Sequence, residues 1–272
     1  MIKILFTAAS LWFIMAHIQQ SSFPLGSLTL TSQNLWWIMI AVILMPINWW
    51  LEIVKWRISV PAENLTFNEA RTAVLSGLAL NWVLPFTLGD LSGRLAAVNH
   101  YRATAKALLV TRMLSLGITL VFGGFAVLHF FSLPQMSYLL VIIGFIFLTF
   151  LMYRVYGSKE HVRFIKILTL TAIRYLVFTA QFTVLIYAII PSLSFSVLIL
   201  GIGWVFLFRS VIPSLFGNFG IREASALVFF ESYLETPAMI LLPCLLIWMI
   251  NTIIPSIVGA TYIFKLKVNI AR

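Results

Sequence analysis

The residues of this sequence best suited to chemistry are arginines that lie inside apolar stretches. They are Arg94, Arg112, Arg174, Arg209 and Arg222. Only two carboxylates, Asp90 and Glu223, are comparably placed, and we expect Glu52 nearer the end of its stretch. A guanidinium presents a planar fork of donors that matches the oxygens of a phosphate. The surplus of cations therefore indicates a binding site for a phosphate-like anion.

The spacing of these residues indicates how they pair. Asp90 and Arg94 are four residues apart, so they can share one face of a helix. Glu223 is expected to pair with Arg112 or Arg174, which leaves cations for a ligand, and Asp90 and Glu223 are also candidate proton carriers. The expected ligand-binding residues are Arg112, Arg174, Arg222, Arg94 and Asn218. The alternative for each embedded arginine is a buried ion pair that holds helices together.

Two segments repeat a proline, a glycine and an arginine at the same spacing. Residues 83–96 (VLPFTLGDLSGRLA) return 128 positions later (213 minus 85) as residues 211–224 (VIPSLFGNFGIREA). Proline ends a helix, and the N–H groups that open the next helix favour an anion. The residues of this helix-break motif are Pro85, Gly89, Pro213, Gly217 and Gly220. The alternative is a pair of ordinary helix-ending kinks.

The apolar composition places these residues in a membrane. Of the 272 residues, 61% are hydrophobic and only 10% are charged. Runs of about 20 apolar residues are long enough to cross a bilayer, so we predict an all-α polytopic membrane protein. The six predicted spans are residues 3–20, 35–57, 104–131, 137–156, 164–190 and 237–264.

Two further segments, residues 69–101 and 197–231, are interrupted by the helix-break motif. Each half is too short to cross comfortably, so we predict two re-entrant hairpins that enter and leave by one face. Halves of about 1–133 and 134–272 then have opposite orientations within one transmembrane domain, 1–272. Such an inverted-topology repeat brings the two breaks together near the bilayer midplane.

The basic residues give the expected orientation. The net charge is +10, and lysine and arginine concentrate in the loops on one side of the predicted spans, as the positive-inside rule requires. These residues are Lys3, Lys55, Arg57, Arg71, Arg102, Lys106, Arg154, Lys159, Arg163, Lys166, Lys265, Lys267 and Arg272. We therefore expect a multi-pass protein of the cell inner (cytoplasmic) membrane, with both termini cytoplasmic and no nucleic-acid partner.

The tryptophans and histidines are expected to have structural roles. Five tryptophans bracket the second predicted span and are expected to anchor it at the membrane interfaces. They are Trp36, Trp37, Trp49, Trp50 and Trp56. The histidines lack the spacing of metal ligands, and no nucleotide-binding loop stands out, so no metal or other cofactor is expected.

Three short motifs carry a resemblance to a known family. Asn81 to Arg94 is similar to Pro-x-x-x-Gly-Glu-x-x-x-Arg, with Asp90 in place of Glu. Thr111-Arg112 is similar to a Glu-Arg pair, and Ile212 to Glu223 is similar to Pro-x-x-x-Gly-x-x-Gly-x-Arg/x-Glu. In this order, over most of the chain, they resemble the transmembrane flippase-like domain of the lysylphosphatidylglycerol synthase family.

The resemblance implies a function in lipid movement. In fused members this domain is thought to move an aminoacylated lipid from the inner to the outer leaflet after a soluble domain has made it. The aminoacyl-transferase domain is absent here, so we expect a stand-alone member and no lipid synthesis. Family analogy also suggests a homodimer and a partner in envelope biosynthesis. Thr111 stands where the family usually has glutamate, so the positive charge of Arg112 has one acidic neighbour fewer to balance it.

Three functions are compatible with these features. The first is a non-enzymatic lipid transporter, flippase-like or scramblase-like, that moves a phospholipid or lipid-linked headgroup between leaflets through an arginine-lined midplane cavity. The second is a membrane-embedded enzyme acting on lipid phosphates, with Asp90 or Glu223 as acid or base. The third is a non-transporting partner of an envelope lipid biosynthesis enzyme.

Overall fold

Every regular element in the described part of the computed structural model is helical. The structure describes residues 2–20, 31–60, 63–84, 88–96, 98, 100–157, 160–213 and 219–266. The α-helices are α1 (Ile2–Gln20), α2 (Ser32–Ser59), α3 (Phe67–Leu80), α4 (Leu88–Leu95), α5 (Tyr101–Phe130), α6 (Met136–Tyr156), α7 (His161–Ile189), α8 (Phe195–Val211), α9 (Ile221–Phe230), α10 (Leu241–Trp248) and α11 (Ile254–Ile263). A 3₁₀ turn, Pro237–Ile240, precedes α10, and a π-helical turn, Met249–Ile253, leads into α11.

Five helical segments of the described residues are long and apolar enough to cross a membrane. They are Ser32–Ser59, Tyr101–Phe130, Met136–Tyr156, His161–Ile189 and Pro237–Ile263. They correspond to five of the six predicted spans, and the prediction of a helical, multi-pass membrane protein is confirmed at this level. The sixth predicted span, 3–20, coincides with α1, whose apolar part, Lys3–Gln19, is shorter than these five.

Helices α3 and α4 pack against each other as an antiparallel hairpin. A Cβ added at Gly93 would lie 2.5 Å from the backbone nitrogen of Gly77, and one at Gly89 would lie 2.2 Å from that of Asn81. As the residue number rises along α4 from Gly89 to Gly93, the residue it contacts falls from Asn81 to Gly77, so the two helices run antiparallel. Only glycine permits this approach, and α3 ends at Leu80, five residues before Pro85, where the sequence predicts the break.

Helices α8 and α9 form a second antiparallel pair. A Cβ added at Gly201 would meet the Phe230 ring at 2.2 Å, and Trp204 Nε1 donates a 3.0 Å hydrogen bond to the carbonyl of Ser225. Gly220 lies before α9 with a φ of 91°, a conformation that side chains other than glycine rarely adopt. Of the helix-break motif, Pro85 and Gly217 lie outside the described residues.

The chain divides into two compact units. The first unit comprises Met1–Met45, Thr119–Phe145 and Val177–Met249, and the second comprises Pro46–Ile118, Ile146–Leu176 and Ile250–Arg272. In the first unit, α8, α9 and the end of α5 share an aromatic cluster centred on Trp204. The predicted single domain 1–272, with halves 1–133 and 134–272, stays a prediction.

In the second unit, α3 packs against both α4 and α11. A Cβ added at Gly259 in α11 would lie 2.2 Å from the carbonyl oxygen of Leu75, so these two backbones are also in close approach. The buried core around α3 includes Ile53, Trp56 and Val74. A capping box between Thr66 and Glu69 fixes where α3 begins. These contacts set the position from which α4 presents its charged side chains.

Candidate functional site

Glu52 on α2 lies at the centre of a cluster of charged side chains in the second unit. Its Oε2 atom is 2.6 Å from Lys55 Nζ and 3.0 Å from Arg174 Nη1. Its Oε1 atom is 2.7 Å from Arg94 Nη2. One buried carboxylate from α2 therefore binds cations from α2, α4 and α7.

Asp90, in the first turn of α4, is the second carboxylate of the cluster. Its Oδ1 accepts a 2.8 Å hydrogen bond from Arg94 Nε, and its Oδ2 accepts a 3.0 Å bond from Arg112 Nη2 on α5. Its backbone N–H donates to Asn81 Oδ1 at 2.9 Å, which ties the start of α4 to the end of α3. A carboxylate is also favoured at a helix N-terminus by the helix dipole. The predicted Asp90–Arg94 pair is confirmed.

Two tryptophans line this charged cluster. The guanidinium carbon of Arg94 is 4.8 Å from the ring centroid of Trp56, and that of Arg174 is 5.6 Å from the ring of Trp49. Cation–π contacts of this length stabilise a guanidinium away from water. The prediction that Trp56 is an interfacial anchor is wrong: its side chain is fully buried against Arg94. The ring is instead part of the wall of the cluster.

The cluster carries more positive than negative charge. Four cations (Lys55, Arg94, Arg112 and Arg174) share the two carboxylates of Glu52 and Asp90, which gives a formal net charge of +2. Lys55 and Arg94 are enclosed, with side chains 3% and 7% exposed. Arg112 and Arg174 are more open, at 42% and 29%. The two most exposed groups of the network are therefore guanidinium groups, and the Asp90 side chain follows at 23%.

A separate ion pair lies at the start of α9 in the first unit. Arg222 donates from Nη2 and Nε to Glu223 Oε1, at 2.6 and 3.0 Å, and the Gly220 N–H donates to Glu223 Oε2 at 2.8 Å. Both charged side chains are almost fully buried. The expected partner of Glu223 was Arg112 or Arg174, and its observed partner is Arg222.

The structure brings together some of the predicted site residues. Asp90, Arg94, Arg112 and Arg174 belong to the cluster of the second unit. Arg222 and Glu223 pair with each other in the first unit. Arg209 lies over the rings of Phe178 and Phe206, while Asn218 lies outside the described residues. A ligand role for Arg222 and proton carriage by Asp90 or Glu223 stay predictions.

Sequence reasoning missed the central position of Glu52 and the role of Lys55. Lys55 was expected only as one of the basic residues of the cytoplasmic face, but it is buried one helical turn from Glu52 and forms an ion pair with it. The signal was present in the spacing of α2: Trp49, Glu52 and Trp56 recur at intervals of three and four, which places them on one helix face. A carboxylate flanked by two tryptophans on one face of α2 indicates that this face packs against other helices of the protein.

Neither a metal centre among the described residues nor a known relative indicates a function for this chain. Within the residues that the structure describes, no group of three or more His, Cys, Asp or Glu side chains could hold a metal ion. The chain matches no family model, no curated protein and no solved structure. Any function must therefore be argued from the charge and geometry of the cluster.

Proposed function

We propose that this protein is a lipid transporter of the flippase or scramblase type, which moves a phospholipid or lipid-linked headgroup between leaflets. The observation that carries the proposal is the charge of the cluster, where four cations share two carboxylates. Arg112 and Arg174 receive the phosphate of the headgroup, while the acyl chains stay in the bilayer. Arginine suits this task because its fork of donors binds two phosphate oxygens at once.

The depth of the two arginines supports a binding role. Arg112 lies eleven residues after Tyr101 on α5, and Arg174 lies thirteen after His161 on α7. At 1.5 Å per residue these are about 16 and 20 Å along helices that can cross a core about 30 Å thick. An arginine at the bilayer centre costs about 2.5–3.5 kcal/mol on insertion scales, and such residues usually mark a substrate pathway.

In the proposed transporter, the two helical hairpins are re-entrant elements that give access to both leaflets. The α3–α4 and α8–α9 hairpins enter the membrane from opposite faces as re-entrant elements of an inverted repeat, and alternating access follows from that symmetry. Both termini are cytoplasmic in the inner membrane. The antiparallel packing of each hairpin and the uneven distribution of basic residues support this arrangement. The motifs of the chain resemble those of the flippase-like transmembrane domain of the lysylphosphatidylglycerol synthase family, which supports the same proposal.

The enclosed arginines have a different role in this proposal. Arg94 bonds to both carboxylates of the cluster and holds α4 against α2, and Arg222 bonds to Glu223 at the start of α9. Removing one partner of such a buried pair destabilises a protein by about 3–5 kcal/mol. Loss of activity in variants of these two residues therefore reports on folding. The more exposed Arg112 and Arg174 are the informative positions.

The test is lipid movement in vesicles that contain the purified protein. We expect Arg112→Gln and Arg174→Gln to slow flipping by about tenfold or more, because a hydrogen bond to a charged group contributes about 1.5–3 kcal/mol. Arg163→Gln is the matched control, since Arg163 lies on α7 with 36% exposure and pairs with Glu160, three residues earlier, outside the cluster. Arg112→Lys keeps the charge and loses the fork, so it should restore activity only in part.

Two results would contradict transport. If folded wild-type protein moves no lipid, the same cluster belongs to an enzyme or to a non-transporting partner. If Arg112→Gln and Arg174→Gln flip lipid as fast as Arg163→Gln, lipid movement does not depend on this cluster. Thermal unfolding of each variant in detergent shows whether a loss of activity is a loss of fold.

A further inference from the structure

Every carboxylate oxygen of the cluster already has a cationic protein neighbour. Both oxygens of Glu52 and both oxygens of Asp90 lie within 3.0 Å of a nitrogen of Lys55 or of an arginine. A headgroup ammonium that entered the cluster would meet four protein cations and carboxylates that are already bonded. Like charges at such distances repel, and the repulsion grows as water is excluded.

The aromatic rings of the cluster are also occupied by cations. Trp56 lies under the guanidinium of Arg94, and Trp49 lies under that of Arg174. Proteins that bind quaternary ammonium groups do so with open aromatic faces. In this structure, the protein's own arginines take those positions.

Donors for an anion do remain. Arg174 uses Nη1 to bond Glu52, whereas its Nε is buried and has no hydrogen-bond partner among the described residues. Arg112 bonds Asp90 through Nη2, and its side chain is 42% exposed. An anion bound at these arginines would offset the formal net charge of +2. A phosphomonoester carries about −1.5 to −2 near neutral pH, whereas a phosphodiester carries only one negative charge.

We propose that the cluster selects lipids whose headgroup ends in a phosphomonoester and carries no ammonium group. This inference rests on the proposed function, because it names the class of lipid that the transporter binds. The order of preference follows from charge. A phosphomonoester lipid binds best, a phosphodiester without an amine binds less well, and a zwitterionic headgroup binds least.

The experiment compares three probe lipids with different headgroups. Fluorescent phosphatidic acid, phosphatidylglycerol and phosphatidylethanolamine are each present as a trace in phosphatidylcholine vesicles, and binding to the detergent-purified protein is measured in parallel. We expect binding and flipping to fall in that order, with phosphatidic acid favoured over phosphatidylethanolamine by about tenfold or more, as a charge-assisted contact implies. Arg112→Gln should reduce this preference, whereas Arg163→Gln should keep it.

The outcomes separate this inference from the proposed function. If phosphatidylethanolamine and phosphatidic acid are flipped equally, the inferred lipid class is wrong, whereas the proposed transport is supported. Selective binding of phosphatidic acid without any flipping supports the class and overturns transport. If the protein shows no binding preference and flips no lipid, both the inferred lipid class and the proposed transport are contradicted. A preference for phosphatidic acid that persists unchanged in Arg112→Gln, with the fold intact, also overturns the assignment to this cluster.

Discussion

Glu52 has two carboxylate oxygens and three cationic neighbours. Lys55, Arg94 and Arg174 all lie within 3.0 Å of it. Its side chain is only 7% exposed, so water cannot take over its role. The positions of α4 and α7 relative to α2 within the second unit therefore depend on this one carboxylate.

Neutralising Glu52 should destabilise the protein strongly. Glu52→Gln raises the formal net charge of the cluster from +2 to +3 and leaves Lys55 buried without its carboxylate. We expect a loss of about 3–5 kcal/mol, the usual effect of removing one partner from a buried ion pair. Thermal unfolding in detergent measures the loss. A stability equal to that of the wild type would show that the ion pairs do not hold these helices.

Removing a cation together with Glu52 should recover part of that loss. Glu52→Gln with Lys55→Met returns the cluster to +2 and replaces the buried ammonium by an apolar side chain of similar length. Replacing a buried ion pair by apolar groups is often neutral. The double variant should unfold at a higher temperature than Glu52→Gln alone. An additive effect of the two substitutions would contradict coupling between them.

Of the ion pairs within one helix, only Asp90–Arg94 was predicted; Glu52–Lys55 and Arg222–Glu223 were missed, and so were the pairs between helices. Asp90 and Arg94 are four residues apart, so their contact follows from helix geometry. The contacts of Glu52 with Arg94 and Arg174 join residues far apart in the chain and depend on how α2, α4 and α7 pack. Trp56 was misassigned for the same reason, because tryptophan suits both a membrane interface and a buried cation–π contact.

At the scale of elements, the α3–α4 hairpin depends on glycine. The backbones approach so closely at Gly77, Gly89 and Gly93 that an added Cβ would lie under 3.0 Å from a neighbouring atom. Small residues permit such approach between helices in membranes. This packing carries Asp90 and Arg94 into the cluster, so the glycines of one helix pair determine the geometry of the charged site.

A methyl group at Gly93 should separate the hairpin. Gly93→Ala places Cβ 2.5 Å from the Gly77 nitrogen, and overpacking of this kind costs about 1–3 kcal/mol. Gly144→Ala on α6 is the matched control, because a Cβ there meets nothing within 4 Å. We expect a lower unfolding temperature for Gly93→Ala and an unchanged or slightly higher one for Gly144→Ala. Equal stability of the two variants would contradict the close packing.

At the scale of the whole molecule, the sequence predicted the class of the protein well. Long apolar runs define spans through hydropathy alone, and five of them are helices of sufficient length. The orientation of the spans stays a prediction, which rests on the uneven distribution of lysine and arginine between the two sides. The two compact units depend on which helices pack together, which hydropathy does not encode.

The two ends of α6 should label from opposite sides of the membrane. Cys244 is the only cysteine, so Cys244→Ser gives a background without thiols for Gln135→Cys and His161→Cys, two exposed positions that flank α6. A thiol reagent that cannot cross the membrane should reach His161→Cys from the cytoplasmic side and Gln135→Cys from the other. Labelling of both from one side would show that α6 does not cross.

Helix α6 has no buried residue along its 21 positions, unlike the helices that build the charged cluster. A spectroscopic probe on such a helix samples its surroundings with little disturbance of the protein. A spin label at Gly144, where an added Cβ meets no atom within 4 Å, would report the local order and polarity of the bilayer. A label on α6 thus provides a reference spectrum with which the spectra of labels near the arginines can be compared.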